Sequence, residues 1–177
     1  MAKSAETKKA AIVLLIIQIA LNGVLSFSLY FQPALFLALI ISLPKRLRPA
    51  LSLIIAFLVG LFFDIISSGV WGVNSAATTA AIMLNLIIRP KIFGAEIDNK
   101  KEEVSSSQQV MRSKYFIYIL LITITFSLVY ILLDNPGFKP IELSLYRFGI
   151  SAFVNALTIW GVFVLFNLRE RNGNRVK

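Results

Sequence analysis

The chain is expected to fold as an all-α, polytopic membrane protein. It is 57% hydrophobic with a mean hydropathy of +0.77, where soluble domains carry about 45–50% apolar residues. Several apolar runs are long enough to cross a hydrocarbon core of ~30 Å. Those runs are apolar on all sides, whereas the strands of a membrane barrel alternate every second residue. One integral membrane domain, residues 1–177, accounts for the whole length, and neither terminus leaves room for a soluble domain.

Six spans are expected. The first, about 10–29, follows Lys8 and Lys9 as a signal peptide would. It continues for about twenty residues without a small-x-small cleavage site, so it reads as a retained helix. The second, 30–43, is short: fourteen residues give ~21 Å of helix. Pro33 stands near its start, where a helix tolerates proline. A re-entrant segment is the alternative there. The third span is 50–67, the fourth 70–88, the fifth 115–133 and the sixth 143–168. Residues 89–114, polar and mixed in charge, read as a mobile cytoplasmic loop.

Charge supports this order. The chain holds 18 Lys+Arg against 9 Asp+Glu, a net +9. Sixteen of the eighteen cations fall in 1–9, 44–49, 89–114 and 169–177, all on one side of a six-span chain. Only Lys139 and Arg147 fall on the other. The positive-inside rule then places both termini in the cytoplasm of a multi-pass protein of the cytoplasmic (inner) membrane. A basic chain raises the question of nucleic acid. Here the cations flank apolar runs, so no nucleic-acid partner is expected and the surrounding partner is membrane lipid.

The stretch 60–76, GLFFDIISSGVWGVNSA, is the most specific signal. Asp64 is the only acid that interrupts the apolar spans, and an intramembrane Asp costs ~2.5–3.5 kcal/mol on insertion scales. Gly60, Gly69 and Gly72 surround it, and glycine allows close backbone approach or a sharp turn. Asp64 lies about sixteen residues beyond Arg48, ~24 Å of helical rise, near the outer interface. Arg147 enters the sixth span at a matching depth. Two arrangements are open: an Asp64–Arg147 ion pair or partner contact, or an Asp64 bonded to its own SSG turn while Arg147 snorkels to water.

Other intramembrane polar residues read as helix-to-helix hydrogen bonds: Gln18, Asn22, Asn74, Ser75, Thr78, Thr79, Asn85, Asn155 and Thr158. Gly149, Ser151, Ala152 and Ala156 form a small-residue packing face on the sixth span. There is no cysteine and no histidine, which removes thiol and imidazole chemistry. No acid pair, activated nucleophile, phosphate loop or metal spacing appears. The expectation is a protein that is not an enzyme and has no catalytic residue, cofactor or metal.

The region from the second span into the cytoplasmic loop resembles the rod shape-determining membrane proteins of the MreD family. The resemblance is carried by Leu43–Pro44 after the short helix, by ALSLIIAFLVG, by GLFFDIISSGVWGVNSAA and by Arg89–Pro90. The family's signature is similar to G-L-x-x-D-x-x-S followed by G and then G-x-H-A. Gly60, Leu61, Asp64, Ser67 and Gly72 fit it, and Asn74 stands where a histidine is common. The resemblance implies a non-enzymatic subunit of the cell-elongation machinery, which builds peptidoglycan and sets rod shape. Its implied partners are an MreC-like protein and, through it, the RodA glycosyltransferase, a penicillin-binding transpeptidase and the MreB filament. It also implies a six-helix fold similar to the substrate-binding subunits of energy-coupling-factor transporters. The alternative function is therefore substrate capture for a vitamin transporter of that type. Partner-contact or structural roles fall on Gly60, Asp64, Ser67, Gly69, Gly72, Asn74, Arg89, Pro90 and Arg147.

Overall fold

A computed structural model describes Ile16 and residues 33–41, 47–66, 70–93, 106–135 and 140–175, with side chains described through 164 and, within 106–135, from 113. The expected first span lies outside the described residues, apart from Ile16. Every regular element among the described residues is helical. They are α1 (Phe36–Ile41), α2 (Pro49–Ile66), α3 (Val73–Phe93), α4 (Ser106–Asp134) and α5 (Ile141–Arg175). Four stretches are long and apolar enough to cross a membrane: Pro49–Ile66, Val73–Phe93, Ser113–Asp134 and Ile141–Val164. The chain is thus a multi-pass membrane protein.

Consecutive spans pack as neighbours, α2 on α3, α3 on α4 and α4 on α5, and α1 lies against α3 and α5. The α2–α3 contact follows from a four-residue repeat of small residues. Ser52, Ala56, Gly60 and Asp64 are buried on one stripe of α2, while Ile54, Phe57, Leu58 and Phe62 are exposed on the other side. Residues four apart share a helix face, and small ones let two backbones meet. A Cβ on Gly60 would stand 2.4 Å from the Ser75 Cα, so the two backbones touch there. Between membrane helices, where hydrophobic burial gives little drive, such close packing supplies the attraction.

α1 fills the centre. It is only six residues, ~9 Å long, and is apolar on every side: Phe36, Leu37, Ala38, Ile40 and Ile41 are all buried. Phe36 stacks on Phe63 of α2 with centroids 4.4 Å apart and meets Phe126 of α4 edge-on at 5.7 Å. The described helix is shorter than the expected 30–43: residues 33–35 precede it without being helical, and 30–32 and 42–43 lie outside the described residues.

Several boundaries differ from expectation. α3 begins at Val73 and not Val70, because Gly72 has φ +93° and cannot continue a helix from before it. Its C-terminus does not stop at Arg89–Pro90 but continues to Phe93. Proline removes one backbone donor, tolerable at a helix end near water. Phe93 is buried against Tyr115 and Tyr118, at 4.8 and 5.2 Å between centroids, which holds the last turn in place. The expected 89–114 loop is therefore helical at both ends, since α4 starts at Ser106. α5, 35 residues and ~52 Å long, runs past the membrane-spanning part at its C-terminal end.

Candidate functional site

The site is the joint between α2 and α3. Asp64 sits in the last turn of α2, one turn beyond Gly60, and is 1% exposed. Its carboxylate accepts three backbone N–H groups. Oδ1 takes the Asn74 N–H at 2.8 Å, and Oδ2 takes those of Gly72 and Ser75, each at 3.1 Å. Gly72 is the N-cap of α3, because its carbonyl accepts the first intrahelical bond, from Ala76 at 2.9 Å. A glycine cap brings no side-chain acceptor of its own. Asp64 supplies it from the preceding helix, serving the cap residue and the second and third helical positions. The same arrangement sets a negative charge at the positive end of the α3 dipole. An ionised carboxylate is acceptor-only, which suits three donors and no acceptors.

Gly60 and Gly72 make this geometry possible in different ways. Gly60 lets α2 approach until Asp64 reaches the α3 backbone. At Gly72 a Cβ would meet nothing within 4 Å, so the requirement is the positive φ and not space. The Ser75 hydroxyl donates to the Gly72 carbonyl at 2.9 Å and tightens the same turn. Asn74 contributes its backbone N–H to the joint and is buried. Ser67 and Gly69 lie outside the described residues.

Arg147 is not brought to Asp64. It pairs with Asp134, the last residue of α4, at 2.6 Å, and its guanidinium lies 5.6 Å from the centroid of the Tyr130 ring. Of the two sequence-level arrangements, the direct Asp64–Arg147 pair is corrected. Asp64 accepts instead from Gly72, Asn74 and Ser75 at the α3 start; the SSG turn of the other arrangement lies outside the described residues, and Arg147 is engaged by Asp134 where that arrangement has it snorkelling to water. Arg147 joins α4 to α5, with Asn135 donating to the Ser144 hydroxyl at 3.0 Å beside it. Asp134 and Tyr130 were missed. Asp134 falls one residue past the expected fifth span, 115–133. Its place across a short turn from Arg147 was the available signal.

The remaining polar residues divide. Asn155 of α5 accepts the Ala34 N–H at 2.9 Å, tying the entry of α1 to a helix 121 residues away. Tyr118 donates to Asn85, joining α4 to α3. The Tyr118–Asn85 bond is helix-to-helix, as expected, while the Asn155 bond reaches the backbone just before α1. Thr78, Thr79 and Thr158 instead donate to carbonyls of their own helices, those of Asn74, Ser75 and Val154. Threonine in a helix readily back-bonds this way. Ser151, Ala152 and Ala156 are buried as expected, but Gly149 is exposed and has no close neighbour. Arg89 lies in the penultimate turn of α3, and Pro90 is exposed beside it. Between α4 and α5, a crevice lined by Ser127, Tyr130, Arg147 and Ser151 has no room for a water molecule. No group of three metal-ligating side chains forms among the described residues.

No family model matches the chain, and neither a curated protein nor a solved structure is significantly similar to it.

Proposed function

We propose that this protein is a non-enzymatic integral membrane subunit of the cell-elongation machinery, similar to the MreD family. In this reading it scaffolds an MreC-like protein and, through it, the peptidoglycan-synthesising pair and the cytoskeletal filament. The observation that carries the reading is the Asp64 joint. Three of the five residues shared with the family signature, Gly60, Asp64 and Gly72, are consumed in fixing one helix to the next. A motif spent on geometry suits a scaffold, whose product is the placement of its outer faces. Those faces are apolar: Phe62, Ile65 and Trp71 project outward around the joint. The filled centre, with Phe36 between Phe63 and Phe126, favours a scaffold over a vitamin-capture subunit.

The same reading has six spans with both termini cytoplasmic. In support, Arg48, Arg89, Lys91 and Lys114 share the end formed by the start of α2, the end of α3 and the start of the α4 span. Asp64, Asp134 and Glu142 share the opposite end. The exposed Trp71 and Tyr146 at that opposite end suit an interfacial aromatic belt.

The test is co-purification of the tagged full chain in mild detergent, with and without Asp64→Ala. Recovery of an MreC-like bitopic protein with the wild type, and its loss with the variant, is the expected result. A stoichiometric vitamin-like ligand with no membrane-protein partner would reject the scaffold in favour of the transporter subunit.

A further inference from the structure

We propose that the seam between α4 and α5 is a gate that parts, and takes up water, at the end carrying Asp134. Phe126, Ser127, Tyr130 and Ile131 of α4 and Arg147 and Ser151 of α5 line the crevice there. Two polar atoms of this lining are buried and make no hydrogen bond among the described residues: the Ser127 hydroxyl and the Arg147 Nε. Ser127 is 2% exposed. A helical serine or threonine readily bonds the carbonyl four residues back. Thr123 and Thr125 of the same helix do so, to Ile119 and Leu121; the Ser127 hydroxyl does not. Arg147 is engaged elsewhere, through Nη1 on Asp134 and over the Tyr130 ring, and it is its Nε that is left over.

The packing leaves one way to satisfy both atoms. The crevice has no room for a water molecule, so water reaches them only when the helices part. Each stranded buried donor disfavours the closed seam by roughly five- to 150-fold. The two ends of the seam are also held differently. At the Asp134 end the contacts are polar and partly exposed: the Asp134–Arg147 pair and the Asn135–Ser144 bond. The ring-to-ring contacts between α4 and α5 lie at the opposite end, Phe116 on Trp160 at 5.9 Å and Tyr115 on Phe163 at 6.0 Å. Water can replace the first set and not the second, so the aromatic end is the pivot and the polar end opens. Ser127 lies seven residues before Asp134, ~10 Å along the helix, which sets the depth that water must reach. The inference needs only the α4–α5 contacts and is independent of the elongation-machinery reading.

The chain has no cysteine, so a single one reports the gate. The full-length protein carrying Ser151→Cys, purified in detergent, is reacted with a small charged methanethiosulfonate that enters only through water. Ile119→Cys, at a fully buried α4 position toward the aromatic end, is the reference. Position 151 should react faster than position 119. Adding Ser127→Ala removes one stranded donor and should slow the reaction at 151 by up to about five- to 150-fold. Adding Asp134→Asn weakens the rim pair and should speed it by about two- to fivefold. Reaction at 151 no faster than at 119 would overturn the gate, as would a rate unchanged or raised by Ser127→Ala, or one unmoved by Asp134→Asn. A second measurement needs no cysteine: Ser127→Ala alone should raise the thermal midpoint. A lowered midpoint would mean that the hydroxyl is satisfied in the closed seam, and the inference would fall.

Discussion

Replacing Asp64 with alanine should uncouple α2 from the start of α3. The substitution strands three backbone donors, two of them buried, at Asn74 and Ser75. Hydrogen bonds inside membrane bundles are worth ~0.6–1.7 kcal/mol each, so three give about 2–5 kcal/mol. Loss of an N-cap alone costs about 0.5–2 kcal/mol, consistent with the lower part of that range. Relief from burying a carboxylate offsets part of the loss, which leaves about 2–4 kcal/mol. Asp64→Asn is the informative companion. With its carbonyl placed at the Oδ2 position it keeps the Gly72 and Ser75 donors but turns an NH2 against the Asn74 N–H. It should fall between wild type and alanine. The assay is reversible unfolding in mixed micelles, followed by circular dichroism, with the free-energy change taken at the midpoint. An alanine variant within ~0.5 kcal/mol of wild type, or an asparagine variant worse than alanine, would refute the capping account.

Gly60→Ala should cost about 1–3 kcal/mol, because its Cβ meets the Ser75 backbone and the helices must part; the same unfolding assay measures it. Gly72→Ala should cost about 1–2 kcal/mol from backbone strain alone, its φ being +93° with open space around the Cβ. A double-mutant cycle on Asp134→Asn and Arg147→Gln should give a coupling of about 0.5–1 kcal/mol, since the pair is partly exposed. The cycle on Asp64→Asn and Arg147→Gln should give less than ~0.5 kcal/mol; the reverse ranking would restore the direct pair. Asn155→Leu should leave the Ala34 N–H unbonded and cost about 1–3 kcal/mol. A single cysteine placed at Leu37 of this cysteine-free chain should then label faster with a thiol reagent, and unchanged labelling would mean that α1 does not depend on that bond.

The four described spans were legible because an apolar run of bilayer length leaves little choice of structure. Their ends were less so. Periodicity does not register that Phe93 can reach Tyr115 and Tyr118 and so hold a turn beyond Arg89–Pro90. Nor does it reveal a residue with positive φ, which moves the start of α3 from Val70 to Val73. The candidate site was found through Asp64 and its glycines, but its wiring was not. Rise per residue gives depth, and Asp64 and Arg147 do share an end of the bundle. It does not give azimuth, and on helices the facing direction decides which groups meet. Arg147 faces Asp134 across the α4–α5 turn, while Asp64 faces the backbone of α3. The four-residue spacing of Ser52, Ala56, Gly60 and Asp64 was present in the sequence and predicts that facing once it is read as a close-packed stripe.

The polar groups that attract attention in this sequence are mostly bound to one another. Asp64 holds α3 to α2, Arg147 holds α5 to α4, Asn85 with Tyr118 joins α3 to α4, and Asn155 secures α1. What remains at the membrane-facing surface is apolar: Phe57 and Phe62 on α2, Leu128 and Leu132 on α4, Phe153 and Leu157 on α5. Lipid tails are as apolar as these side chains, so burial alone gives a partner helix little preference for them over lipid. For the proposed scaffold, recognition would then come from shape, which is set by how rigidly each helix is held against the next. On the proposed scaffold reading, a defect at Asp64 or Gly60 should therefore weaken partner binding without either residue touching the partner. A stability-matched comparison separates the two routes. If Gly60→Ala and a core variant of equal destabilisation such as Phe126→Leu lower partner recovery equally, the joint acts through fold. If Gly60→Ala lowers it further, the α2–α3 surface itself is the contact.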